Sequence, residues 1–471
     1  MDRKTFRNWA HRAADWSADY LEHVHEKPVR AQTEPGEIAA KLPTTPPEVG
    51  DDMEQIIQDV DRLLMPGMTH WQHPRFFAYF PANSSPPSVI AEYLTATMAA
   101  QCMLWQTSPA ATELETHVLA WLRQMIGLPD DFQAVIQDSA SSATLAAILT
   151  AREQALSFRG NNDGLADHPA VRIYCSAQAH SSIDKAIWIA GIGQKNLVKI
   201  ETHPDNRMNA AALEHAIAAD RANGTYPAAV IATVGSTSIG AMDDLRAIGE
   251  VAQRQGLYFH IDAAWAGSAL ICEEYRHLID GVDLADSFVF NPHKWLLTNF
   301  DCTAHFVKDP KALVQTLGIQ PDYLKTQGAA GYNYSEWSIP LGRRFRALKL
   351  WFVIRSYGVG ALRQIIRNHI SMAESLASWI DAHPHFELTT RPSLSLFTFR
   401  YAPKGESDLD ELNAKLVQAI NDDGRIYLTQ TRYQNDYVIR FSVGQLYTAD
   451  QDIELAWNVI QELAGAVTVA P

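Results

Sequence analysis

From Phe132 to Val307, short apolar runs alternate with helix-period stretches, and this alternation leaves the chain few folds to choose from. Apolar runs at 134–137, 171–176, 197–201, 228–235, 257–262, 287–291 and 302–307 predict strands. Between them, 141–157, 181–190, 210–222 and 243–255 carry the spacing of helices. Strands alternating with helices imply βαβ units and a mostly parallel sheet covered on both faces. In such sheets the ligand binds off the carboxyl ends of the strands.

The flanks read differently. Residues 1–27 predict an amphipathic helix, with Phe6, Trp9, Ala13, Trp16, Tyr20, Leu21 and Val24 near one face. A segment with Pro28, Pro35, Pro43, Pro46 and Pro47 predicts an extended arm. Helices are expected at 51–64, 87–104 and 109–126. Such an N-terminal piece cannot bury its own apolar face and must pack elsewhere. Residues 309–342 lose periodicity, and a loop that long inside a domain suggests a functional lid. Helices over 343–356 and on to about 382 follow. Strands at 386–391, 394–401 and 437–443 and helices near 407–421 and 448–464 predict a small α+β domain.

Bulk properties narrow the class. The net charge of -15 carries no basic block, so nucleic acid is not an expected partner. The N-terminus has no apolar signal core, and no apolar run approaches the ~20 residues of a membrane span. Cys102, Cys175, Cys272 and Cys302 show no paired spacing and read as reduced thiols of a cytoplasmic protein. Asn83-Ser84-Ser85 matches a glycosylation sequon, which carries no meaning without export. His23/His25 and His383/His385 lack partners at metal spacing, so no metal site is expected. Gly191-Ile192-Gly193 lacks the third glycine of a dinucleotide fingerprint.

Chemistry gathers at the strand ends. Asn291-Pro292-His293-Lys294-Trp295 follows an apolar run, and a lysine there suits Schiff-base formation with an aldehyde cofactor. The bland alternative is a lysine on an exposed loop. Asp262 ends another strand ahead of Ala263-Ala264-Trp265-Ala266-Gly267. Such a carboxylate would keep a pyridine nitrogen protonated; otherwise it caps a helix or pairs with an arginine. Ser139-Ala140-Ser141-Ser142 lies between a strand and a helix, where hydroxyls and free N–H groups take an anion, or serve as an ordinary cap. Thr237 ends a strand and offers a donor. His180 follows one as well, either stacked on a flat cofactor or structural. Trp71, Phe76, Phe77, Tyr79 and Phe80 crowd one stretch, mostly as packing and in part as pocket lining.

Together these residues resemble the pyridoxal-phosphate (PLP) group II decarboxylases, and most closely the aromatic-L-amino-acid decarboxylases. Three further segments agree: 73–81, Ser108-Pro109-Ala110-Ala111-Thr112-Glu113-Leu114-Glu115, and Leu341-Gly342-Arg343-Arg344-Phe345-Arg346. The likeness runs nearly end to end. It implies a fold-type I α/β enzyme with an N-terminal helical segment over 1–80, a large seven-stranded PLP domain over 81–356 and a small C-terminal α+β domain over 357–471. It also implies a homodimer with shared active sites. By the same likeness, Lys294 carries PLP. Ser139, Ala140, Ser141, Asn291 and His293 hold the phosphate, and Thr237 contacts the site. His180 stacks on the ring, Ala264 packs on its other face and Asp262 pairs with its nitrogen. Tyr323 matches the loop tyrosine that returns a proton to Cα; aldehyde-forming relatives typically carry phenylalanine there. Trp71, Tyr79, Phe80 and Pro81 match the substrate pocket, and Gly342 leaves room for a wide ring. Ala82, Gln101 and Met103 depart from the animal pattern, which leaves tryptophan, tyrosine, DOPA and phenylalanine all open as substrates. The alternatives are an aldehyde synthase, a glutamate or histidine decarboxylase, and a non-catalytic protein with a dead site.

Overall fold

In the computed structural model, which describes residues 1–319 and 332–469, the alternating stretch builds one seven-stranded sheet. Its strands are β1 (Gln133–Gln137), β2 (Val171–Ser176), β3 (Leu197–Ile200), β4 (Tyr226–Thr233), β5 (Tyr258–Asp262), β6 (Ser287–Phe290) and β7 (Thr303–Val307). Their order is β1-β7-β6-β5-β4-β2-β3. The pairs β6–β5, β5–β4, β4–β2 and β2–β3 are parallel. Only β7 runs against its neighbours, β6 and β1. Every residue of β5 and β6 is buried, because helices cover both faces, and this explains apolar runs without alternation.

The sheet belongs to a unit spanning Ala82–Asn368. One buried ion pair ties its outlying segments to the sheet. Arg343 donates to the Glu115 carboxylate at 2.6 Å, with both side chains nearly inaccessible. The same Glu115 oxygen accepts the Ile136 N–H of β1, and Arg343 also reaches the carbonyls of Ile136 and Cys102. The helix Pro109–Ile126 and the segment 341–346 are thus fastened to the strand that leads to Ser139.

A second unit combines Met1–Pro81 with His369–Pro471. Its antiparallel sheet has the order β10-β11-β9-β8. The strands are β8 (Phe386–Ser393), β9 (Leu396–Tyr401), β10 (Thr429–Tyr433) and β11 (Asp436–Ser442). Helices Leu409–Asp423 and Asp450–Val469 pack with it around Phe397, Phe399, Phe441, Leu416 and Ile460. Phe77 joins this core, stacked on Phe441 at 4.3 Å. The proline-rich arm is extended at its start, as its composition predicts, but anchored: Val29 is fully buried and its N–H donates to the Gly424 carbonyl.

Several expectations need correction. The segment 309–342 is not all irregular, since Pro310–Leu317 is a helix capped by the Asp309 carboxylate. The helix expected over 87–104 is Pro86–Met98, ending at Ala99 in the left-handed region. The two helices expected between 343 and 382 are both present: the helical span Arg346–Asp381 is divided by non-helical backbone at Gly358. Strand β10 is an addition. Residues 320–331, which include Tyr323 and most of the expected lid, lie outside the described residues. Among the described residues no helix is long and apolar enough to cross a membrane, and no His/Cys/Asp/Glu cluster could hold a metal.

Candidate active site

Because β7 opposes both β1 and β6, β1 runs the same way as the parallel strands. The carboxyl ends of β1, β2, β4, β5 and β6 therefore share one edge. Ser139, His180, Thr237, Asp262 and Lys294 all come to that edge, each at or just past its strand.

Ser139 caps the helix Ala140–Ala155, its hydroxyl accepting the Ser142 N–H at 3.2 Å and lying 3.1 Å from the Ser142 hydroxyl. It does serve as a cap, but Ala140 is buried at the turn while Ser141 is exposed. The helix end thus presents N–H groups and hydroxyls together, the chemistry that binds a phosphate. Asn291 is buried, and its side-chain oxygen accepts the Thr303 hydroxyl at 2.8 Å. His293 is buried too. Its Nδ1 accepts the Cys302 N–H at 2.9 Å, so Nε2 carries the proton. Burial first, then the Lys294 charge, holds the His293 imidazole down to about 3.

Asp262 is 6 % exposed. Its carboxylate accepts the Ala264 N–H at 3.0 Å, so it does fix the following turn. Among the described residues no arginine, lysine or histidine stands within ion-pair distance of it. A buried carboxylate without its cation is costly, and this orphan charge is the clearest sign of a cationic ligand atom. The turn it starts is pressed onto β6: a Cβ at Gly267 would lie 2.4 Å from the Phe290 Cβ. The adjacent Ala264 is half-buried and packs with Ala140, Ala143 and Val289.

Lys294 lies on the short helix Pro292–Trp295, half-buried between buried neighbours. Its carbonyl accepts the Asn83 side-chain amide at 3.0 Å. The loop reading of this lysine therefore fails. His180 has one exposed side, and its Nδ1 accepts the Ser182 N–H at 3.2 Å, leaving Nε2–H as donor. Its pKa is lowered by burial, pushed back up by the Asp262 charge and lowered further by Lys294.

The substrate residues fall in both units. In the unit of Ala82–Asn368, Gly342 adjoins Gln101: a Cβ there would lie 3.3 Å from the Gln101 amide nitrogen. The Gln101 side-chain oxygen accepts the Arg343 N–H, and the Met103 carbonyl accepts the Ser335 N–H. In the other unit, Trp71 and Tyr79 stack at 5.7 Å and are 39 % and 49 % exposed. Phe80 is buried beneath the Arg440 guanidinium, and Pro81 packs on Gly444. Tyr79 has φ +47, an unfavourable conformation for a side chain of its size. Sequence reading missed Asn83 and Thr303. Asn83 stood only in a sequon, and no local pattern marks a residue that supports its neighbour's backbone.

This sheet, with a lysine, an orphan carboxylate and a hydroxyl-capped helix on one edge, defines a PLP enzyme of fold type I. The pyridoxal-dependent decarboxylase conserved domain matches residues 35–402, and the chain belongs to that family. The aromatic-L-amino-acid decarboxylase of Rattus norvegicus is 41 % identical over 99 % of both chains. The phenylacetaldehyde synthase of Arabidopsis thaliana is 39 % identical over 98 % of this chain and 96 % of its own. The crystal structure of Oryza sativa TDC with PLP and tryptamine superposes with a TM-score of 0.96, at 34 % identity over 99 % of each chain. PLP is the cofactor, and the residues present fit it: a carboxylate for its ring nitrogen, a helix end for its phosphate, an amine for its aldehyde.

Proposed function

We propose that this enzyme decarboxylates an aromatic L-amino acid, either tryptophan, tyrosine, DOPA or phenylalanine, to the arylalkylamine and CO2. The observation that carries the reading is the buried Asp262 carboxylate, with no cation in ion-pair distance among the described residues, on the same sheet edge as Lys294 and His180. Bound PLP supplies an electron sink for the charge that develops at the substrate Cα. Asp262 keeps the ring nitrogen protonated and so deepens that sink. Ser139, Ala140 and Ser141 at the helix end, with Asn291 and His293, hold the phosphate. Thr237 donates at the carboxyl end of β4. Lys294 offers the amine for covalent attachment, and Ala264 and His180 flank the ring. Tyr323 delivers the proton to Cα, so that an amine leaves.

Side-chain recognition rests on residues of opposite character. Gly342 beside Gln101 spares the width an indole needs, and Ala82 and Met103 add no charge. Trp71, Tyr79, Phe80 and Pro81 offer flat apolar surface, which disfavours glutamate. The enzyme acts as a homodimer with shared active sites in the cytoplasm; its four buried free cysteines suit a reducing compartment.

One specific observation favours a second reading. The similarity to a phenylacetaldehyde synthase makes an oxidative outcome relevant, in which dioxygen is consumed and aldehyde, CO2, ammonia and hydrogen peroxide form. The experiment is a product assay with PLP on tryptophan, tyrosine, DOPA, phenylalanine, glutamate and histidine. Amine and CO2 in equal amounts from at least one aromatic substrate is the expected result. Peroxide and ammonia in step with CO2 would select the second reading, and no product from any substrate would reject both.

A further inference from the structure

The geometry points to His260 as a positioning residue: its imidazole links the phosphate-binding helix, the strand of Asp262 and the strand leading to Lys294, fixing their register for PLP. This rests on the assignment of the phosphate to Ser139–Ser141 made above.

His260 lies on β5 two residues before Asp262, so both side chains leave the same sheet face. It is 1 % exposed. Its Nε2 lies 3.2 Å from the Thr144 hydroxyl, on the helix that Ser139 caps. Its Nδ1 lies 2.7 Å from the Ser287 hydroxyl, at the start of β6. Thr144 and Ser287 are themselves fully buried. Burial and the neighbouring His305, edge-on at 6.2 Å, hold the imidazole neutral. A neutral imidazole has one donor and one acceptor, so one hydroxyl donates to it and the other accepts from it. No apolar residue could satisfy both.

At the end of the helix that Ser139 caps, the apolar packing is made mostly by small side chains. The first turns of the helix meet β6 and the Asp262 turn through Ala140, Ala143, Val289 and Ala264. Alanines bury little area and interlock weakly, so this end of the helix resists a slide less than the stretch of Leu145 and Ile148 does, packed in the core with Ile173 and Ile183. A directional hydrogen bond at Thr144 resists that slide. The phosphate site and the ring carboxylate are held on different elements, and one cofactor must meet both.

The test titrates the apoprotein with PLP and, separately, with pyridoxal, which lacks the phosphate. In His260→Leu both bonds are lost, and the dissociation constant for PLP should rise about tenfold, the scale of one lost buried hydrogen bond. The constant for pyridoxal should change much less, a distinction that general loosening of the fold would not produce. His260→Gln places an amide near Nε2 and should recover more PLP affinity than His260→Asn, which reaches only toward Ser287. An unchanged PLP constant in His260→Leu, or equal losses for PLP and pyridoxal, would overturn the inference. Should that variant not fold, Thr144→Val removes the helix-side hydroxyl alone; weaker PLP binding is expected, and parental binding overturns the inference. A parent chain that binds PLP no better than pyridoxal would instead overturn the phosphate assignment beneath it.

Discussion

Lys294 is half-buried among neighbours that are wholly buried. Desolvation of that kind is tolerated for a lysine that is chemically used. We expect Lys294→Ala to lose the visible absorption band of bound PLP and to lower turnover by several orders of magnitude; parental turnover would remove Lys294 from its role. Tyr323 decides the product in this scheme. Tyr323→Phe should yield less amine and more aldehyde, read by amine quantification beside a peroxide assay, and an unchanged ratio would take the proton transfer away from it. His305 makes a different prediction. It is fully buried, its two ring nitrogens have no hydrogen-bond partner among the described residues, and burial holds it down to about 4. An unfolded histidine titrates near 6.5. The unfolded chain therefore takes a proton that the folded one refuses, and stability is lost as pH falls from about 6.5 toward about 4. His305→Leu escapes that loss. Its thermal midpoint should gain on the parent's between about pH 7.5 and about pH 5, and a constant gap would contradict the argument.

Among elements, the buried strands and the helices with a clear apolar face were the most legible. The range expected for β2 matches the observed strand, as do those for the helices Ala210–Ala222 and Pro109–Ile126. Buried strands show as unbroken apolar runs, and β5 and β6 show why their ends matter: a polar Asp262 or Lys294 there stands out against the run. β10 was invisible because it is an edge strand, Thr-Gln-Thr-Arg-Tyr, with two of its five residues exposed and none fully buried. The helix Pro310–Leu317 did carry a signal, an Asp cap followed by proline at its first position, which the surrounding irregular sequence masked. What no local pattern gives is strand order. The placement of β7 between β1 and β6 brings the Ser139 helix end to the shared edge, and only the fold reveals it. The Glu115–Arg343 pair is equally non-local, joining two segments that the sequence marks only by family likeness. Arg343→Met would strand the Glu115 carboxylate in the interior, at a cost of about 3–5 kcal/mol. The thermal midpoint should drop sharply, and adding Glu115→Gln should recover part of the loss. A drop equivalent to less than about 1 kcal/mol would place the pair among ordinary surface contacts.

At the scale of the whole molecule, the helix Pro86–Met98 is inverted. It turns Ser88, Ala91 and Thr95 inward and leaves Ile90, Tyr93, Leu94 and Met98 outward, 40–56 % exposed. These four recur at helical spacing and form one stripe. A helix that buries its small polar residues and exposes its large apolar ones is poorly matched to water, but well matched to an apolar partner. Removing those side chains from water would yield about 25 cal/mol per Å² of apolar surface, repeated on both copies of a two-fold interface. A second copy of this chain is the partner that the proposed dimer supplies. Ile90→Glu together with Leu94→Glu places charges in the middle of that stripe and touches no residue buried in the subunit's own core. The parent should sediment as a dimer at micromolar concentration, and the variant as a folded monomer with a parental circular-dichroism spectrum. Because the active sites are proposed to be shared, the monomer should also lose most of its decarboxylation. A parent that sediments as a monomer would remove the dimer, and a monomeric variant with full activity would show each subunit to be complete by itself.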